Sequence, residues 1–180
     1  MIRRARAEDV DGIAAVHVAA WQAAYPGILP AHTLEAFTLA ERRRFWSGVA
    51  PGEPVPGRPV LVAVESEAVV GFAVCGPPRD HDMPFDAELF VLNVQPARWR
   101  RGIGRRLFAC CVDQLSDLGH SSFYLWVLTA NERARRFYES VQGKPLAEHI
   151  RDADFGGVGV PEIAYGWAKL PDVASVRDRD

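Results

Sequence analysis

Apolar residues recur along this chain at two different spacings, and the switches between them mark out its elements. Ile2–Arg6 is long enough for a short first strand. From Asp9, an N-cap type, Ile13, Val16, Trp21 and Ala24 return on one side of a helix that Pro26-Gly27 breaks. The run Leu34–Trp46 predicts a second helix. Residues 51–59 hold four prolines and two glycines and read as a loop. Val60–Val64 and Val69–Val74 form a hairpin through Glu65–Ala68, and Pro77–Pro84 is a further loop. Ala87–Val94 is a fourth strand, ended by Pro96, which cannot donate to a ladder. Helical spacing then takes over at Ile103, Leu107, Cys110, Cys111, Leu115 and Leu118. Phe123–Leu128 is a short, fully apolar fifth strand, and Asn131 caps a helix carrying Ala134, Phe137, Tyr138 and Val141. A last strand pair, Leu146–Arg151 and Glu162–Ala168, flanks the glycine-rich Phe155–Gly159. The order is that of one α/β domain over residues 1–170, with a polar, flexible tail over 171–180.

The densest chemistry lies where the fourth strand meets the next helix. Arg98, Arg100, Arg101, Arg105 and Arg106 fall within nine residues, with Gly102 and Gly104 among them. They crowd a helix N-terminus, the positive end of the macrodipole, where acidic side chains are normally favoured. That placement is unfavourable unless an anion neutralises it. Glycines let backbone N–H groups approach such an anion, so the segment reads as a pyrophosphate cradle. It is not a P-loop, because Arg105-Arg106 follow Gly104 where Lys-Ser/Thr would be needed. Nor is it a dinucleotide fingerprint, because Leu107 stands at the third glycine and the following strand ends in Leu128-Thr129 without an acid.

Leu92, Val94, Pro96, Gly102 and Gly104 resemble the acetyl-CoA motif of the GNAT superfamily of N-acyltransferases. Trp99 departs from that motif's Arg/Gln position, with Arg98 and Arg100 beside it. Asn131, Ala134, Phe137 and Tyr138 match a second GNAT motif on the next strand and helix, although Gln142-Gly143-Lys144 replace its usual ending. A looser likeness to one bacterial branch lies in residues 21–30 and around Phe155–Tyr165. The resemblance implies a mixed central sheet of six to seven strands flanked by about four helices, with parallel fourth and fifth strands that splay apart at the cofactor. It also implies an acetyl-CoA-dependent N-acetyltransferase that transfers directly in a ternary complex. By the same resemblance Leu92, Asn93, Val94, Arg98, Arg100, Arg101, Gly102, Ile103, Gly104, Arg105, Asn131 and Tyr138 bind the cofactor. Tyr138 is the general acid for the departing thiolate, and Glu88 is a candidate base. Alternation puts Glu88 on the same strand face as Leu92 and Val94. Four strand residues span about 13 Å, so Glu88 would act through water.

Bulk properties narrow the alternatives. At 180 residues, with 48% hydrophobic and 24% charged residues, the composition is that of a globular chain. The net charge of −2 makes the arginine cluster a local patch, which argues against nucleic-acid binding. The three cysteines, Cys75, Cys110 and Cys111, have no metal-ligand spacing and read as buried thiols of a reducing cytosol. No metal is expected. No run reaches membrane-spanning length and the N-terminus lacks an apolar signal core, so the expectation is cytoplasmic.

The acceptor is written less clearly. Asp80, Asp82, Asp86 and Glu88 gather before the fourth strand; such a charge run is more often a solvated loop, but it could also attract a cationic amine, from a small molecule or a peptide. Trp21, Tyr25 and Phe155 are candidate pocket walls, although aromatics at these spacings are more often core. His81, between two aspartates, reads as neither base nor metal ligand. The family resemblance leaves a homodimer open. Two other classes compete with the enzyme: a non-catalytic acyl-CoA sensor that keeps the cradle, and an unrelated nucleotide-binding module.

Overall fold

The computed structural model describes residues 1–49 and 57–177, so most of the proline-rich loop 51–59 lies outside the described residues. In chain order the elements are β1 (Ile2–Arg4), α1 (Val10–Ala24), α2 (Ala31–Ala36), α3 (Leu39–Val49), β2 (Val60–Glu65), β3 (Ala68–Gly76), β4 (Glu88–Val94), α4 (Ile103–Asp117), β5 (Phe123–Leu128), α5 (Glu132–Ser140), β6 (Lys144–Asp154), β7 (Gly159–Trp167) and α6 (Val173–Arg177). The seven strands form one sheet in the order β1-β2-β3-β4-β5-β7-β6. Every neighbouring pair is antiparallel except β4 and β5, which run parallel.

Two helical layers enclose the sheet. On one face α4 lays Ile103, Leu107, Cys111 and Leu115, four residues apart, against Leu61, Ala73 and Leu89 and the inward residues Phe123, Leu125 and Val127 of β5. On the other face Ile13, Ala14 and Val16 of α1 and Trp46 of α3 pack against Val62, Phe72 and Val74. The alternate β5 residues Tyr124 and Trp126 turn to that second face. A strand covered on both sides has no polar position to spare, which explains the unbroken apolar run of β5.

Two expectations need correction. The single helix over Leu34–Trp46 is two, α2 and α3, interrupted at Phe37-Thr38. Phe37 leaves helical geometry to lie flat on Trp21, with ring centroids 3.8 Å apart and planes 2° apart. Thr38 then opens α3 by sharing hydrogen bonds with Glu41. Toward the C-terminus, residues 173–177 of the expected flexible tail form α6. Val176 is 1% exposed there and joins Leu170 and Val173 against the α4 layer. Three apolar residues spaced by three were enough to dock a segment whose average composition is polar.

Candidate active site

The two matched motifs sit at the ends of β4 and β5. After Val94 the chain makes a short 3-10 turn over Pro96–Arg98, and the Trp99 indole donates to the Val94 carbonyl at 2.8 Å. Trp99 therefore pins the turn, which accounts for an aromatic residue in a basic segment. Arg100 (φ 59°) and Gly102 (φ 70°) both take the left-handed conformation, and α4 starts at Ile103. Its N-terminus has no side-chain cap and no acid in its first turn. The first-turn N–H groups thus lack intrahelical partners and face outward.

The arginines divide. Arg98 lies 3.6 Å from Glu65, and Arg105 donates to Ser140 Oγ at 3.1 Å while its buried Nη1 has no hydrogen-bond partner among the described residues. Arg100, Arg101 and Arg106 are exposed. A sixth cation, from outside this segment, joins them. Arg133, from the first turn of α5, lies over the Trp99 ring at 3.3 Å. Its pKa is lowered, first by burial and also by Arg100, with Tyr25 acting the other way. Because Trp99 and Arg133 are distant in sequence, no local signal announces this contact.

Between cradle and sheet centre lies a slot. Only one β4–β5 pair is in register, Glu88 with Tyr124, supported by Tyr124 N–H donating to the Ala87 carbonyl at 3.1 Å. Below it, the Asp86 carboxylate accepts from the N–H and Oγ of both Ser121 and Ser122. Above it, the strands part, leaving the edge of β4 toward Val94 without a ladder partner among the described residues. A bulge explains the divergence: Val74 pairs with Val91 but Cys75 with Leu89, so Phe90 is an extra residue that bends β4.

That bulge also corrects the position of Glu88. Leu89, Leu92 and Val94 face the α4 layer, whereas Phe90 and Val91 pack on the α1 side. One inserted residue reverses the alternation, so Glu88 points to the opposite face from Leu92 and Val94. It reaches the floor of a cleft of about 510 Å³ lined by Arg79, Asp80, His81, Asp82, Glu88, Tyr124, Trp126 and Arg151. Glu88 is 1% exposed and fully engaged. The Arg79 backbone N–H and guanidinium bond both of its oxygens, and the Tyr124 hydroxyl donates to Oε2 at 3.3 Å. Burial first, and then Glu88, pushes the Tyr124 hydroxyl up to about 12, which keeps it a donor. On the far wall Arg151 stacks over Trp126 at 4.0 Å, bonds Glu162 at 2.7 Å and lies 3.5 Å from Asp80.

The remaining candidates fall in place unevenly. Asn131 caps α5, its Oδ1 accepting from Ala134 N–H at 3.2 Å. The exit of α5 uses Gln142 in the left-handed conformation (φ 71°), and Gly143 lies where a Cβ would come 2.6 Å from the Trp167 ring. Tyr138 is enclosed by Phe137, Tyr165 and Trp167. Its pKa stands well above the usual tyrosine value, mainly through burial, with Tyr25 and Cys111 adding. Trp21, Tyr25 and Phe155 do converge, on Leu29, Leu128 and Val160, and they are not in the cleft's lining. Asp86 belongs to the clamp and not to the cleft. Among the described residues no cluster of His, Cys, Asp and Glu is placed to hold a metal, and no helix is long and apolar enough to cross a membrane.

A family model described as Acetyltransferase (GNAT) family matches residues 16–143. The chain belongs to the GNAT acetyltransferases. It is 31% identical to an uncharacterized N-acetyltransferase of Bacillus subtilis, over 99% of this chain and 98% of that one. The fold is that of a PaiA N-acetyltransferase of Thermoplasma acidophilum in complex with coenzyme A (TM-score 0.63, 20% identity, 90% of this chain and 96% of that one). It is also that of a ribosomal-protein-alanine N-acetyltransferase of Brucella melitensis (TM-score 0.70, 20% identity, 93% and 98%). The protein is thus a GNAT acyltransferase with acetyl-CoA as co-substrate, transferring an acetyl group to an amine. The uncapped helix N-terminus, its exposed arginines Arg100, Arg101 and Arg106, and the Arg105 Nη1 without a partner among the described residues fit the pyrophosphate of that molecule, and the β4–β5 slot suits an extended arm.

Proposed function

We propose that the enzyme transfers acetyl directly from acetyl-CoA to a primary amine, within a ternary complex built across the β4–β5 slot. The observation that carries this reading is the slot itself, which leads from the cationic cradle at α4 on one side to the charged cleft on the other. When bound, acetyl-CoA supplies an activated acyl group with a thiol leaving group. Backbone N–H groups of Gly102, Ile103, Gly104 and Arg105, with Arg100, Arg101 and Arg133, hold the pyrophosphate. Arg98 keeps to the rim through Glu65. The free edge of β4 at Leu92, Asn93 and Val94 offers its backbone to the arm, as a strand edge does to any extended partner. Tyr138, protonated throughout the physiological range, donates toward the departing sulfur.

Glu88 serves the acceptor side. Saturated by Arg79 and Tyr124, its carboxylate holds the cleft floor and passes a proton only through water that Arg79 admits. The lining carries two arginines against three carboxylates, and Glu162 stands behind Arg151. The excess is negative, which favours a cationic amine. Peptide α-amines stay beside small molecules as candidates, since the Brucella relative is named for acting on a ribosomal-protein alanine. The sensor alternative has no observation in its favour. The test is calorimetric titration with CoA and acetyl-CoA against NAD and ATP, followed by an amine screen. Selective micromolar binding of CoA and turnover on amines are the expected result. Absence of CoA binding overturns the reading.

A further inference from the structure

We propose that Tyr165 is a positioning residue for the acetyl transfer: its hydroxyl ties α5 to β7 on both sides of Tyr138 and so fixes how that acid meets the departing sulfur. The inference rests on the acid role proposed for Tyr138 above.

Tyr138 is held by rings. Phe137, Tyr165 and Trp167 surround it, with centroids 5.3, 6.3 and 6.3 Å from its own. Two of the three come from β7, where Tyr165 and Trp167 are alternate residues on the face turned to the α4 layer. Their strand is well anchored, since Tyr165 pairs with Leu125 of β5 on one side and Pro145 of β6 on the other. Trp167 lies flat on Phe123, with centroids 4.5 Å and planes 4° apart, and its indole donates to the Val141 carbonyl at 2.8 Å.

The Tyr165 ring is wholly buried, and its hydroxyl is a hub. It accepts from Arg135 Nε at 3.2 Å and donates to Glu139 Oε1 at 2.7 Å. Those two residues bracket Tyr138 on α5. Arg135 also donates to the Thr129 carbonyl at 3.1 Å, which extends the tie to the end of β5, where the slot is open. The helix does not need this hub for its own stability. Arg135 and Glu139 stand four residues apart and can pair directly along α5. What the hydroxyl adds is the seating of α5 on β7, and with it the placement of Tyr138. In the transfer, the amine nitrogen forms the C–N bond and the C–S bond breaks with its electron pair on sulfur. Sulfur takes a proton from Tyr138, which is restored through water by the proton that nitrogen loses. Tyr165 transfers no proton, but a displacement of the acid by about 1 Å can slow such a step by about 100-fold.

The experiment is a double-mutant cycle in wild type, Tyr165→Phe, Tyr138→Phe and the double variant. It reads kcat at saturating acetyl-CoA, with the fastest amine of the screen above as acceptor, and the calorimetric Kd for CoA. Tyr165→Phe should lower kcat about tenfold while that Kd stays within a factor of two. In the Tyr138→Phe background the same change should cost less than about twofold, because the acid it aims is gone. An unaltered kcat in Tyr165→Phe, or an equal loss in both backgrounds, overturns the proposal; the second is what a merely structural tyrosine gives. Full kcat in Tyr138→Phe would instead overturn the acid reading, and this inference with it.

Discussion

The two ends of the slot handle charge in opposite ways. At the cradle Arg100, Arg101 and Arg106 crowd a helix terminus with neither cap nor acid, so the positive field is left uncompensated. At the cleft each arginine has its carboxylate, Arg79 with Glu88 and Arg151 with Glu162 and Asp80. A site for a highly charged ligand of fixed chemistry can leave its countercharge outside the protein. One for an amine must keep its own charges in order before the ligand arrives, because a buried unpaired ion is strongly unfavourable.

The strongest test of this contrast attacks the open end. Gly102→Glu and Gly104→Glu should each lower CoA affinity at least 100-fold by calorimetry. The first also forces a side chain into left-handed backbone, at a cost of about 1–2 kcal/mol. Retained affinity would mean the cradle is not where the pyrophosphate sits. Next in size is Tyr138→Phe, for which kcat should fall about 100-fold while the Kd for CoA stays within a factor of two. Equal turnover would remove the hydroxyl from the mechanism.

The closed end should respond in stability first. Arg79→Ala leaves the buried Glu88 carboxylate without its cation and should cost about 2–3 kcal/mol in urea unfolding. Glu88→Gln should cost only about 1 kcal/mol, since the half-exposed Arg79 returns to water. Equal costs would show that the pair is not held as an asymmetric one. The smallest effect belongs to Asp86. Burial opposes its ionisation, but the Ser121 and Ser122 bonds prevail and its pKa is lowered. Its contribution is therefore present above the unfolded carboxylate range, near pH 4, and lost as pH falls through the depressed folded value. Asp86→Asn should flatten that acid limb of the stability curve and leave stability at pH 7 to 8 governed by the lost bonds alone.

The same contrast explains what could be read from the chain. The cradle and the Asn131 cap depend on residues within a few positions of each other, so spacing alone exposed them. The six later strands and both major helices were equally local in their patterns. Simple alternation puts Glu88 on the wrong face, because Phe90 looks like any strand residue until its partner across the ladder is known. Arg133 on Trp99 and Arg151 on Trp126 join segments remote in sequence, and no period in either segment foretells them. The C-terminal helix was missed for a different reason: average polarity concealed three well-spaced apolar residues.

With a single rung joining β4 to β5, the sheet is mechanically two half-sheets meeting along one soft seam. Widening that seam breaks no ladder bond above Glu88, and the Asp86 clamp below acts as its pivot. On the proposed placement, a ligand arm lying along β4 would take the place of the missing rungs. Cofactor loading in that placement would then tie together two half-sheets that share a single rung.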